Sequence, residues 1–318
     1  MDMTFYGLLH IATGEKSTAN GSSKRFKHQI ETYIMNAVNL AHSLASKGIE
    51  FILLTNQPAT IDCYLDRLSS IDRLQVKQID FATDVPTGTS FYSAHFKIDM
   101  FKYLGSLPAD RYVGAIDLDT IAIGEISPCF QNSIRAKIPI VYEIADQVIP
   151  VFGRDRLLQD LQKLLPSIHE VRWSGGEFMT GTPDFFNSLA AEIDKIYDRY
   201  IEAIDSLHHQ GDEMLTSVAL AALRHQGKFQ IADGGDLGIV GRFWSYPPKH
   251  PQPSFRDFEH LFLLHLPSDK QFLAQLNPEA AKSRDRFLHQ YHRYLPQQIA
   301  KSAVHSQISS VLKWLRLK

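Results

Sequence analysis

Two aspartates, Asp117 and Asp119, follow directly on the apolar run Tyr112–Ile116. In an extended chain, residues i and i+2 point to the same face. Open α/β sheets bind their ligands beyond the carboxyl ends of the strands. Two carboxylates held there repel each other and lose solvation unless a cation sits between them. Hard divalent cations such as Mg²⁺ and Mn²⁺ take carboxylate oxygens and share themselves with substrate phosphates. The pair therefore reads as a metal site for a phosphorylated ligand. The bland alternative is a solvated turn carrying two ordinary aspartates, against which stands the apolar Ile121-Ala122-Ile123 that follows.

Such a pair needs a rigid scaffold, and the upstream chain predicts one. Phe5–Ala12 is a short run of strand formers, broken by a polar Gly/Ser/Lys loop. Phe26–Lys47 carries Ile30, Tyr33, Ile34, Ala37, Val38 and Ala41 at helical spacing and stops at Gly48. Ile49–Leu54 reads as a buried parallel strand, 59–69 as a helix, 74–79 as a strand and Phe91–Leu104 as a helix. This alternation predicts an α/β fold with a mixed, mostly parallel sheet sandwiched by helices. Further on, 138–142, 178–181, 229–232 and 261–265 read as strands, and 184–204 and 213–225 as helices. Residues 233–255, rich in Gly and Pro, read as a long lid or binding loop. The expected layout is a single domain over 1–270 with a helical, basic C-terminal appendage over 271–318.

At 318 residues, 44% apolar and 21% charged, the chain has an ordinary globular composition. Its net charge of −2 argues against a nucleic-acid partner. That total hides an asymmetry. Residues 281–318 hold eight basic residues and one acid, +7, which leaves 25 basic and 34 acidic residues, −9, in the first 280. Cys63 and Cys129 form no Cys-x-x-Cys pair, the N-terminus reads as a first strand rather than a leader, and no 18-residue apolar stretch occurs. A cytoplasmic protein is expected. Val304, Ile308, Val311, Leu312 and Leu315 form a helical stripe among Lys301, Lys313, Arg316 and Lys318. Such a helix either packs on the body or makes peripheral contact with the inner face of an anionic membrane.

Phe91–Gly124, with its aromatic-rich helix, Leu107-Pro108 and apolar strand running into Asp-x-Asp-Thr, resembles the heart of the GT-A fold nucleotide-sugar glycosyltransferases. The likeness is to the glycogenin- and galactosyltransferase-like (family 8-like) group and spans roughly residues 1–270. It implies a metal-dependent hexosyltransferase with a UDP-sugar donor, Mn²⁺ or Mg²⁺, and a saccharide or lipid-linked acceptor. Asp117 would face donor ribose and metal, Asp119 would ligate the metal, and His265 would complete the metal site. Lys97 falls where the group keeps a basic residue near the donor, and Lys270 would neutralise the leaving diphosphate. The His–Lys step is one residue shorter than the group's and lacks its Gly. Trp173–Met179 resembles the small-residue segment lining the sugar pocket, which would set Gly175 and Gly176 against the donor. The group's Asn is missing there, and Glu177 is unusual. Asp212, an acid that would also suit a helix N-terminus, would orient the sugar or the acceptor. Thr13 ends the first strand where base and ribose would sit, with 16–24 closing over them. The likeness points toward retention of configuration; inversion would need a base on the acceptor side, for which Glu177, Asp212 and Glu213 are candidates.

Ile116–Thr120 also resembles the first motif of haloacid-dehalogenase-type phosphatases, with Asp117 as nucleophile. That family's motif lies near the N-terminus and carries a Gly before its Thr. A third reading is a nucleotide-sugar-binding module that has lost its chemistry.

Overall fold

Met3–Leu9 forms the first strand, β1. Alternation is lost here because both faces are covered: six of its seven residues are buried. The computed structural model describes residues 3–12, 23–67 and 74–316, with side chains except over 23–27 and 301–316. Thr13, and most of the 16–24 loop expected beside it, lie outside the described residues. The further strands are β2 (Glu50–Thr55), β3 (Gln75–Gln78), β4 (Tyr112–Ile116), β5 (Thr120–Ala122), β6 (Ile140–Glu143), β7 (Ser174–Gly181), β8 (Ala232–Asp233), β9 (Val240–Arg242) and β10 (Leu263–His265). The helices are α1 (Ser23–Ala45), α2 (Pro58–Leu65), α3 (Lys97–Gly105), α4 (Pro128–Arg135), α5 (Ala145–Phe152), α6 (Arg154–Leu164), α7 (Pro183–Ala203), α8 (Asp212–Gln226), α9 (Lys270–Gln275), α10 (Pro278–Ala281) and α11 (Arg284–Arg316).

The large sheet runs β3-β2-β1-β4-β7-β6-β8. All neighbours are parallel except at β7, which lies antiparallel to both β4 and β6. The mixed, mostly parallel α/β architecture with a helical C-terminus is thus present. A second sheet, β5-β10-β9, holds β10 antiparallel to β5 and parallel to β9. Helices α3, α7 and α8 pack in succession, and α1 packs on β2, β5, α9 and α10.

Two apolar clusters result. The larger surrounds the seven-stranded sheet. The smaller joins Ile121 and Ile123 of the β5 region to Phe243, Leu264, Leu273, Phe287 and Tyr291. The appendage therefore shares a core with the strands that follow the Asp pair. Asn39 of α1 ties it down further, its Nδ2 donating to the Leu273 and Leu276 carbonyls at 2.7 and 3.2 Å.

Several expectations shift. The segment Phe91–Leu104 is not one helix: Phe91 adopts a left-handed φ of 54°, Tyr92–Phe96 is a 3₁₀ turn, and α3 starts at Lys97. His95 explains the break. Its Nδ1 donates to the Phe91 carbonyl at 3.2 Å and its Nε2 accepts from Tyr200 at 2.7 Å, fixing the turn against α7. Strand β7 begins at Ser174, ahead of the expected 178, so Gly175 and Gly176 lie within it. The long loop 233–255 contains β9. Helices α9 and α10 lie in the segment expected to be helical, while α4, α5 and α6 appear where no helix was expected. Their short lengths gave periodicity too few residues to register.

Candidate active site

Three strand ends converge beyond β4. Antiparallel pairing sets Ile116 opposite Phe178, and the Asp117 N–H donates to the Glu177 carbonyl at 3.0 Å. Glu177 thereby sits beside the Asp pair. Pairing of β10 with β5 sets His265 opposite Thr120, and the Leu266 N–H donates to the Asp119 carbonyl at 2.9 Å. Pairing of β10 with β9 sets His265 opposite Arg242. The register of two sheets thus gathers residues from 23 to 148 positions apart in the chain.

Asp117, Asp119 and His265 offer three ligand atoms within 4.8 Å of one another. Two carboxylates and an imidazole form a donor set that suits Mn²⁺ and, less well, Mg²⁺, since imidazole favours the later transition metals. On donor chemistry the residues fit a divalent cation. Lysines flank the set. Lys97 Nζ lies 2.7 Å from Asp117 Oδ1 and 2.8 Å from Asp212 Oδ2, and donates to the Gly176 carbonyl at 2.8 Å. Lys270 Nζ lies 2.5 Å from Asp119 Oδ2 and donates to the Pro267 carbonyl at 2.7 Å. Asp212 is the first residue of α8, where an acid also meets the positive end of the helix dipole.

Behind the set lies a layer in which Glu177 and Glu213, candidate bases on the sequence, meet Arg242, which sequence reading did not find. His265 Nε2 faces Asp119 Oδ1 at 3.2 Å, and its Nδ1 faces Glu177 Oε1 at 3.1 Å. The Glu177 side chain is 0% exposed and accepts both Nε and Nη2 of Arg242 at 2.7 Å. Arg242 Nη2 also reaches Glu213 Oε1 at 2.8 Å, and Trp173 Nε1 donates to Glu213 Oε2 at 2.9 Å. A carboxylate behind a ligating imidazole fixes its orientation. Glu177 therefore stands behind His265 rather than open to an acceptor.

Burial and charge set the protonation states. Burial alone would lower the His265 pKa, but the Asp119 and Glu177 carboxylates outweigh it and raise it to about 9. Burial would raise both Glu177 and Asp119; Arg242 and His265 instead hold Glu177 well below the usual carboxylate range, while His265 and Lys270 do so for Asp119. Burial pushes the Asp117 carboxyl up, against the pull of Lys97. Five acids (Asp117, Asp119, Glu177, Asp212, Glu213) thus face three permanent cations (Lys97, Arg242, Lys270) and a protonated His265.

The glycines matter by size. A Cβ on Gly176 would stand 2.2 Å from Asp212 Oδ2 and 2.8 Å from Lys97 Nζ, and one on Gly175 would stand 2.1 Å from Glu177 Oε2. A side chain at either position would push these charged groups from their present places.

Among the described residues no helix is long and apolar enough to cross a membrane. No family model matches the chain, and no curated protein matches it. Among solved structures, the apo form of mouse xyloside xylosyltransferase 1 aligns with 83% of this chain and 97% of its own at 11% identity, with a TM-score of 0.48.

Proposed function

We propose that the protein is a metal-dependent glycosyltransferase that moves a hexose from a nucleotide-diphosphate sugar, UDP-hexose favoured, to an acceptor hydroxyl. The observation that carries this reading is the Asp117–Asp119–His265 set at the strand ends, bracketed by Lys97 and Lys270. With a ligating, neutral His265, five acids (Asp117, Asp119, Glu177, Asp212, Glu213) face only three permanent cations (Lys97, Arg242, Lys270). A diphosphate brings more negative charge, so it enters only with added positive charge, which a divalent ion supplies.

Asp117, Asp119 and His265 would hold Mn²⁺ or Mg²⁺, which when bound neutralises charge on the departing diphosphate. The chain's own groups do the rest. Lys270, one ion pair away from Asp119, is placed to meet the diphosphate as Asp119 turns to the metal. Lys97 holds Asp117 and Asp212 in one frame and anchors the Gly175-Gly176 backbone, along which the sugar would lie. Asp212 is the acid we assign to the sugar or acceptor hydroxyl. Glu177, enclosed and paired with Arg242, is assigned to positioning His265. The acceptor would be a saccharide or a lipid-linked one, and the latter would put the basic C-terminal segment at an anionic membrane.

The test is a thermal-shift series with UDP-, GDP-, CMP- and dTDP-sugars, with and without Mn²⁺. One nucleotide sugar should raise the melting temperature only when metal is present, and Asp119→Asn should abolish the shift while the protein stays folded. Absence of any metal-dependent nucleotide response in the wild type sinks the reading. Hydrolysis of aryl phosphates with Mg²⁺, lost in Asp117→Asn, would favour the phosphatase alternative instead.

A further inference from the structure

Asp269 is a buried carboxylate, 1% exposed, that none of the chemistry above uses. Burying a charge is unfavourable unless its lone pairs are filled. Here hydroxyls fill them. Ser245 Oγ donates to Oδ1 at 2.6 Å and Tyr294 to Oδ1 at 3.0 Å; Tyr291 donates to Oδ2 at 2.7 Å. Ser268 adds a longer contact at 3.4 Å. The short donors come from two distant segments: Ser245 just beyond β9, and both tyrosines from α11.

Asp269 also stands at a joint. Its N–H donates to the Leu266 carbonyl and its own carbonyl accepts from Leu273, both at 3.0 Å. It therefore links the end of β10, which carries His265, to the start of α9. The next residue is Lys270, whose ammonium lies against Asp119. Tyr291 is itself fully buried in the smaller core, stacked on Phe287 at 5.7 Å. The carboxylate is thus bolted to a packed helix rather than to a loop.

We infer that Asp269 is a positioning residue: by gathering Tyr291 and Tyr294 of α11 and Ser245 it clamps the β10–α9 joint and so holds Lys270 over Asp119. The helical appendage is in this sense part of how the site is built. The carboxylate touches neither Asp117, Asp119 nor His265, and it acts through Lys270. The consequence for a diphosphate rests on the transferase reading, but the placement of Lys270 does not.

The experiment uses the full chain with Tyr291→Phe/Tyr294→Phe, which removes two hydroxyls and keeps the rings, and with Asp269→Asn. The rate of amine acylation at Lys270 is read by mass spectrometry, with Lys97 as internal reference. Release of Lys270 from Asp119 should raise its rate several-fold in both variants, with Lys97 unchanged. Leu288→Ala, in the same core but with no hydroxyl on Asp269, controls for general loosening. An unchanged Lys270 rate in folded tyrosine variants overturns the inference, as does an equal rise in Leu288→Ala. A second arm measures Mn²⁺-dependent UDP affinity, which should fall about tenfold in the tyrosine variant. If Lys270 is released as expected but the wild type binds no nucleotide, the transferase reading fails and the clamp stands. If UDP binds the wild type and Lys270 is not released, the reverse holds.

Discussion

Glu177 owes its place to Arg242. Without Arg242 the fully enclosed Glu177 keeps, among the described residues, only His265 as a partner, and breaking such a buried pair costs roughly 3–5 kcal/mol. Arg242→Met should therefore lower the unfolding free energy by about that amount in chemical denaturation. Arg242→Met combined with Glu177→Gln should recover a substantial part, because the stranded charge is gone. Additivity of the two single effects would show that the pair does not interact. The Asp pair was legible in sequence because a buried strand ends at it, so residue type and position both spoke. Lys97, Asp212, His265 and Lys270 were found only through the family likeness, and all four meet the Asp pair directly or through one another. Arg242 was not legible. It ends a three-residue strand in a stretch whose Gly and Pro content reads as loop, and an arginine there looks like any solvated one. The role of Glu177 was hidden for a related reason: sequence gives the acid but not the partner that encloses it.

Between residue and molecule, α6 secures the entry to α8. Its Asp160, with a side chain 0% exposed, accepts from the His208 N–H at 2.9 Å, His208 Nδ1 at 2.8 Å, Arg156 Nε at 2.9 Å and Lys163 Nζ at 2.8 Å. Arg156 and Lys163 also reach the Ser206 carbonyl, at 2.6 and 3.2 Å. These contacts pin residues 206–208, four residues ahead of Asp212. Burial would raise the Asp160 carboxyl, but the hydrogen bonds to Lys163, His208 and Arg156 outweigh it and bring its pKa down to about 2. The folded value lies below the unfolded one, so its stabilisation is fully present above about pH 4 and disappears as pH falls through 2. Asp160→Asn should therefore flatten the acid limb of stability between pH 4 and 2. At neutral pH it should cost about 2–3 kcal/mol, the scale of hydrogen bonds to a charged group. Denaturant titrations across that range would reveal it; an acid limb identical to wild type refutes the argument. None of this was visible beforehand, since α5 and α6 were not expected at all. The parallel elements of the first 116 residues were, because long apolar runs alternate there with long periodic ones. The failures cluster where strands have two or three residues and helices fewer than a dozen, lengths at which tertiary pairing decides the conformation.

At the scale of the whole molecule, the net charge of −2 is the sum of −9 over residues 1–280 and +7 over the C-terminal segment 281–318. Two truncations separate those contributions. Stopping after Ser283 removes Phe287, Leu288 and Tyr291, which are 0%, 7% and 0% exposed. Burial of each is worth roughly 1.5–3 kcal/mol, so their combined loss rivals the roughly 5–15 kcal/mol that holds an ordinary domain together. The smaller core should come apart, and with it the β10–α9 joint that carries Lys270. Stopping after Ala300 keeps every member that the described residues contribute to the two apolar clusters, up to Leu295. It removes four basic residues, Lys301, Lys313, Arg316 and Lys318, and takes the net charge from −2 to −6. If the positive charge that meets a phosphate is local to Lys97, Lys270 and the metal, this shorter chain should melt within a few degrees of wild type. It should also bind Mn²⁺ and nucleotide with unchanged affinity at physiological salt, where charges beyond a Debye length of about 8 Å are largely screened. A drop in nucleotide affinity without a drop in melting temperature would mean that the basic segment itself reaches the site, and would move the phosphate-binding charge from the strand ends to the C-terminus.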